Sequence, residues 1–255
     1  MSEPITTDRP LEADERSWWD YWNTSYRSQD DVGEVPSELF ARTAALVAEV
    51  MPAGKGRVLE IGCGAGSLSR QLLYSSYHGI DISPAAIDIA REKSHSLRPG
   101  AGSATYEAAD FHDWPLPPES FDVAICVDAV AYFRDQGFAL KKMADSLRVD
   151  GVLVLTTINP FVYHRIRRTT KSPLKEGSIS RWLSRAELHG FIESAGLTVQ
   201  ESCTIMPRGN LGFLRIVNAP RLNRLFGPRG AGILKRAKER AGLGQYRVVV
   251  ARKLG

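Results

Sequence analysis

The chain has 255 residues, 43% of them hydrophobic and 24% charged, with a formal net charge of +4; this is ordinary for a globular protein with a buried core and excludes a disordered chain. No stretch reaches the roughly 18 apolar residues of a membrane span, and residues 1–16 carry acidic side chains in place of an apolar leader core, so a cytoplasmic location is expected. The charge is unevenly spread. Residues 161–255 hold 19 Lys+Arg against 5 Asp+Glu, about +14, while residues 1–160 hold the remaining 14 against 24, about −10. Such a basic C-terminal part suits an anionic partner: a phosphorylated metabolite, a nucleic acid or an acidic membrane surface. The alternative is a solvated basic face.

Residues 1–16 are polar. Trp18, Trp19, Tyr21, Trp22 and Tyr26 then crowd into nine positions at mixed i+3 and i+4 spacings, which predicts a helix with one aromatic face, packed on the core or closing over a ligand pocket. We treat 1–36 as this lid segment and 37–255 as the main domain. Ser37 reads as an N-cap for an amphipathic helix that ends before Pro52. Strand and helix then alternate: strands at 57–61, 77–81, 104–108, 121–126 and 152–157, helices at 67–73, 84–93 and 136–147. This pattern predicts βαβ units, hence a doubly wound α/β fold with a mostly parallel sheet covered on both faces. Ser184 caps a further helix that Gly196 ends, followed by strands at 197–205 and 246–251. Between those two strands lies a basic insertion, 206–245, long enough to form helices of its own. Cys63, Cys126 and Cys203 fall in or beside strands and read as buried, reduced thiols. No His/Cys/Asp cluster has metal-ligand spacing, so no metal is expected.

The chemistry begins at Glu60-Ile61-Gly62-Cys63-Gly64-Ala65-Gly66, where the first strand runs into a glycine-rich turn at a helix start. Glycine lets backbone N–H groups approach a ligand because it has no Cβ. A dinucleotide site prefers G-x-G-x-x-G, and position 67 is Ser. Glu60 repels a pyrophosphate but suits the ammonium of an amino-acid ligand. Asp81, closing the second strand, is placed to accept from two ribose hydroxyls. Asp110 follows the third strand with Phe111 beside it, a carboxylate for an exocyclic amine and an aromatic for a purine. Three acids ending three successive strands suit a cationic nucleoside.

The segments VLEIGCGAGSLSRQL, GIDIS, AADFHDWPLPPESFDVAICVDAV and LRVDGVLVLTTINP, in this order, resemble the class I S-adenosylmethionine-dependent methyltransferases over residues 36–160. The resemblance implies a Rossmann-like seven-stranded sheet with an antiparallel last strand, and S-adenosyl-L-methionine as cofactor, leaving as S-adenosyl-L-homocysteine. It places the methionine part on the loop of Gly62, Cys63, Gly64 and Gly66, with Glu60 supporting that loop and the ammonium. Asp81 takes the ribose; Ile82, Asp110 and Phe111 flank and bond the adenine; Val127 and Asp128 contact the methionine portion or line the substrate entrance. Many relatives that act on small molecules carry a Glu-His pair after the fourth strand, where this chain has Ala131 and Tyr132, so the base role given to that His does not transfer.

Methyl transfer needs alignment of a nucleophile, and a base only if that nucleophile must lose a proton. His164, on the segment leaving the fifth strand, is the base candidate because an imidazole titrates near neutrality; Tyr132 is a hydrogen-bonding candidate. Trp19, Trp22, Tyr26, Tyr163 and Arg167 are candidate substrate residues, Arg167 from the basic run Arg165, Arg167, Arg168, Lys171 and Lys175. The expected acceptor is a small molecule, glycan or lipid-linked group carrying an anion and methylated at oxygen. The insertion 206–245, in which Phe213, Ile216 and Val217 alternate with Arg215, offers a peripheral membrane contact or packs on its own domain. The alternative is an RNA methyltransferase of the tRNA type that uses the basic C-terminal third. Against it, the chain shows no RNA-binding module and no Asn-Pro-Pro-Tyr motif.

Overall fold

The computed structural model describes residues 24, 37–51, 55–166, 181–209, 211–219 and 227–255. Helix α1 (Ser37–Val50) leads into β1 (Arg57–Ile61), β2 (Ser76–Asp81), α2 (Pro84–Lys93), β3 (Ser103–Ala108) and β4 (Phe121–Val127). There follow α3 (Gln136–Ser146), β5 (Leu147–Ile158), a single turn α4 (Pro160–Tyr163), α5 (Arg185–Ser194), β6 (Leu197–Pro207), α6 (Phe213–Val217), α7 (Gly227–Arg240) and β7 (Gly244–Lys253). The seven strands form one sheet in the order β3-β2-β1-β4-β5-β7-β6. β1 to β5 pair in parallel, and β7 runs antiparallel to both β5 and β6. This is the mostly parallel, doubly wound fold expected.

Local chemistry sets the ends of the helices. Ser83 accepts from the Ala86 N–H at 3.2 Å and Pro84 opens α2; Asp135 accepts from the Phe138 N–H at 2.9 Å to start α3. Ser184 and Glu187 form a reciprocal capping box on α5, and Gly196, at φ +90°, takes the left-handed conformation that stops it. Alternate residues of the central strands feed two cores. Val58, Val123 and Val154 face α1 and α2, while Leu59, Ala124 and Leu155 face α3 and α5, as a period of two requires in a sheet buried on both faces.

Two expectations need correction. The segment 67–73 is a run of turns, with no regular helix. Its side chains take the carbonyls that a helix would use: Ser69 donates to Gly66 at 2.8 Å, Arg70 to Ala65 and Gly66 at 2.8 and 2.9 Å, and Gln71 to Ser67 at 3.1 Å. Side chain to backbone bonds of this kind compete with the helical ladder. Cys203 is only partly buried, since it lies on the edge strand β6, whereas Cys63 and Cys126 are buried; all three are free thiols. Apart from residue 24, the aromatic segment 18–26, with Trp19, Trp22 and Tyr26, lies outside the described residues, as does the basic run from Arg167 to Lys175.

The insertion 206–245 does contain helices, and α7 is tied down. The Glu239 carboxylate accepts from Arg42 of α1 at 3.2 Å and from the Met206 N–H at 3.4 Å. Thr204 donates to the Glu239 carbonyl at 2.6 Å and accepts from the Gly244 N–H at 2.9 Å. Asn159, buried just past β5, locks the same corner: its amide donates to the carbonyls of Gly242 and Gly244, both at 2.9 Å, and its oxygen accepts from Arg247 at 3.2 Å. Asn159→Ala leaves these buried groups unpaired, and we expect a loss of about 2–4 kcal/mol at unchanged denaturant slope, read by urea unfolding.

Candidate active site

Parallel β1, β2, β3, β4 and β5 end on one edge of the sheet, and the turns that follow them converge there. Their glycines answer to packing. A Cβ on Gly62, at φ +73°, would lie 2.5 Å from the Cβ of Ala129 in the turn after β4; one on Gly66, at φ +67°, would lie 3.1 Å from the Tyr106 ring of β3. Gly64 also has positive φ, and its N–H donates to Asp81 at 2.8 Å. The other Asp81 oxygen accepts from the Ser83 N–H at 2.9 Å. Asp81 thus bridges the turns after β1 and β2 while keeping lone pairs for a further donor, because a carboxylate has about four acceptor positions. Burial pushes its carboxyl up, and these two N–H groups pull it back.

Beneath the turn sits Glu60, fully buried, with neither carboxylate oxygen in a hydrogen bond among the described residues. Burial first, and then Asp81, push its carboxyl well above the usual carboxylate range, against a smaller opposing pull from Arg70. An orphaned acid beside a second acid is a receptor for a cation, so the residues fit a ligand with an ammonium or sulfonium. Cys63 lies in the same buried turn, and burial pushes its thiol up, which leaves it unreactive.

The turn after β3 is held differently. Asp110 accepts from the His112 N–H at 2.8 Å and from Arg134 at 3.3 Å, with His112 Nδ1 3.3 Å away. Burial raises its carboxyl, but the His112 and Arg134 contacts outweigh that and hold it below the usual value. Phe111 is sunk in the core, with Phe133 at 5.9 Å and the Lys142 ammonium 5.2 Å above its ring. That ammonium also donates to the carbonyls of Phe111, His112 and Trp114 at 2.7, 3.0 and 2.6 Å. Ile82 is partly exposed past β2, Val127 is buried at the end of β4, and Asp128 follows it at φ +52°, its N–H donating to the Thr156 carbonyl at 2.9 Å.

After β5, Tyr163 packs on Trp182 with ring centroids 4.1 Å apart, and the exposed His164 stands edge-on to both rings. The chain returning at Arg181 bonds the turn that contains Tyr132: the Arg181 N–H donates to Ala131 at 3.4 Å, and Gln136 donates to the Arg181 and Val130 carbonyls. Tyr132 and His164 therefore stand on neighbouring turns of the sheet edge where β1 ends. Sequence reasoning missed Arg134, Lys142 and Asn159, which act on loops 24 to 85 residues away and carry no local signal. Arg70 and Tyr106, too, gave no motif.

Two outcomes check this geometry. Gly62→Ala meets both a left-handed backbone and Ala129, and should cost about 2–4 kcal/mol in urea unfolding. Glu60→Gln should raise the thermal midpoint of the ligand-free chain at about pH 8 and leave it unchanged below about pH 4. With a raised folded-state pKa, stability is fullest below the usual carboxylate range and is lost as pH rises toward the folded value.

Comparison with known proteins agrees with the architecture. Residues 58–151 match the model of a methyltransferase domain. A methyltransferase from Bacillus subtilis, YcgJ, is 29% identical over 138 residues, 49% of this chain and 53% of that protein. A ubiquinone biosynthesis O-methyltransferase from Ralstonia nicotianae is 26% identical over 195 residues, 71% of this chain and 75% of the relative. The chain spans about half the length of some curated relatives that it matches. The solved structure of an S-adenosylmethionine-dependent methyltransferase from Mesorhizobium loti superposes with a TM-score of 0.57 at 21% identity, covering 82% of this chain and 96% of that one. The strand order of the mostly parallel sheet and the acid-and-glycine turn after its first strand agree with the match, and residues 58–151 are part of a class I S-adenosylmethionine-dependent methyltransferase domain.

Proposed function

We propose that the chain binds S-adenosyl-L-methionine and transfers its methyl group to an oxygen of a small-molecule, glycan or lipid-linked acceptor that bears an anionic group. The single observation that carries the cofactor half is Glu60, a buried carboxylate with no hydrogen-bond partner among the described residues, lying under the Gly62–Gly66 turn that Asp81 braces. When bound, the cofactor supplies a methyl already activated on a sulfonium. Glu60, under the close-approaching backbone of the turn, would hold the amino-acid end, Asp81 would accept from the ribose hydroxyls, and Asp110 with Ile82 would meet the adenine. The buried Phe111 backs this loop from the core. Val127 and Asp128 border the entrance.

What remains for the protein is alignment and a proton. His164 takes the proton from the acceptor hydroxyl, with Tyr163 and Trp182 fixing its ring, and Tyr132 orients the acceptor across the gap. Among the relatives, O-methyltransferases support an oxygen acceptor. The exposed Phe161, Leu211, Phe213 and Ile216, beside Arg165 and Arg215, support an amphiphilic acceptor that reaches the site from a membrane surface. The lid 1–36, with Trp19, Trp22 and Tyr26, and Arg167 remain assigned to the acceptor side.

Calorimetric titration with S-adenosyl-L-homocysteine should give saturable binding, weakened by Asp81→Ala about tenfold to a hundredfold through the loss of charge-assisted hydrogen bonds. A wild-type chain that shows no heat of binding defeats the reading. Nucleic acid copurifying with the chain, released steeply by salt, would favour RNA as the acceptor.

A further inference from the structure

A buried polar cluster lies where β5 leaves the sheet. Thr157 of β5 and Arg247 of β7 stand directly opposite one another in the antiparallel pair. By the alternation of a strand, both side chains take the face that carries Leu155 and Val249, the face packed by α3 and α5. Thr157 is 1% exposed and Arg247 8%. Arg247 Nη2 donates to the Asn159 side chain at 3.2 Å, which fixes the guanidinium at the end of β5. Its Nε–H has no acceptor, and the Thr157 hydroxyl has no partner, among the described residues. Two buried donors on opposed residues thus lack an acceptor, and each carries an uncompensated loss of hydration.

The charge is unmatched as well. Burial, and after it Arg185, pull the Arg247 guanidinium below the usual arginine value, and no acid pulls it back. Arginine stays charged all the same. Arg185 and His189 stand one turn apart on α5, and His189 Nε2 lies 2.9 Å from the Ser202 hydroxyl of β6. Burial, Arg185 and Arg247 hold His189 below the usual imidazole value against a pull from Glu193, so it is neutral at pH 8. The buried part of the cluster therefore holds one positive charge and no negative one, although buried charges are normally paired. Gln245, two residues before Arg247 on the same face, has an unmet amide oxygen. A half-turn of that amide offers a third donor.

We propose that Arg247 and Thr157 form a carboxylate-binding subsite for the acceptor, in which the Arg247 Nε–H and the Thr157 hydroxyl donate to a monoanionic carboxylate at the end of β5, the strand whose outgoing turn carries His164. The assignment to the acceptor rests on the methyl-transfer reading; the anion site itself does not. One buried positive charge matches a monoanion, whereas a dianionic phosphoryl group leaves a second charge buried without a partner. The planar guanidinium also suits the planar carboxylate. Asn159 is a positioning residue here, holding the guanidinium from its other side.

The test is calorimetric titration of the full chain at pH 8 and constant ionic strength. Benzoate is the carboxylate probe, methyl benzoate its uncharged counterpart and inorganic phosphate the dianion. Saturable binding of benzoate is expected, lowered at least about tenfold by Arg247→Met and severalfold by Thr157→Val. Without ligand, Thr157→Val should unfold at the wild-type thermal midpoint or above it, because a methyl replaces a buried hydroxyl that has no partner. A lower midpoint shows that the hydroxyl is already satisfied and overturns the proposal. So does benzoate binding that is absent in wild type, equal in wild type and Thr157→Val, or matched by methyl benzoate or phosphate. Thr157→Val carries the test should Arg247→Met fail to fold. Titration with S-adenosyl-L-homocysteine separates the two claims: benzoate binding without it sinks the methyl-transfer reading alone, and the reverse sinks the subsite alone. Where both bind, benzoate should still bind the chain saturated with S-adenosyl-L-homocysteine, and competition between them overturns the assignment to the acceptor.

Discussion

A buried carboxylate with no hydrogen-bond partner among the described residues, near the end of the first strand, is the constraint around which the site is arranged. Burying Glu60 is unfavourable in the ligand-free chain, and the sheet tolerates it because everything around it is fixed: Gly62 is pressed against Ala129, Gly66 against Tyr106, and Asp81 holds the turn by the Gly64 N–H. The free energy forgone in folding is available to a cation that arrives later, which is how a destabilised group becomes a binding group.

The parallel sheet is what brings that turn together with the others. Because β1, β2, β3, β4 and β5 all run one way, each ends at the same edge and each contributes one turn. The turns are stiffened from behind by long-range contacts: Lys142 with three carbonyls of the Phe111–Trp114 loop, Arg134 with Asp110, and Gln136 with the chain returning at Arg181. A pocket of this kind varies its outer surface through insertions and keeps its inner surface through packing.

Much of this was legible in the sequence because it is local. Periodicity placed α2 and α3, and the cap at Ser184 placed α5, within a residue or two. The acids at 60, 81 and 110 could be picked out for the same reason: each lies within two residues of the end of a strand. The helix expected at 67–73 was misread because Ser69, Arg70 and Gln71 look like acceptable helix residues, and only the fold shows their side chains taking the carbonyls. Phe111 looked like a partner for a purine; the Lys142 ammonium above its ring, from 31 residues away, was not legible.

The insertion between β6 and β7 is stapled at both of its roots. Thr204 and Glu239 close it on one side, and Asn159 grips the carbonyls of Gly242 and Gly244 on the other. Such a graft point is modular. Its roots carry the fold, so the intervening stretch can vary in length at small entropic cost, provided that the bond from the Leu211 N–H to the Arg165 carbonyl, beside His164, is kept. An engineer exchanging that stretch would leave Thr204, Asn159 and Glu239 untouched and vary the residues between them.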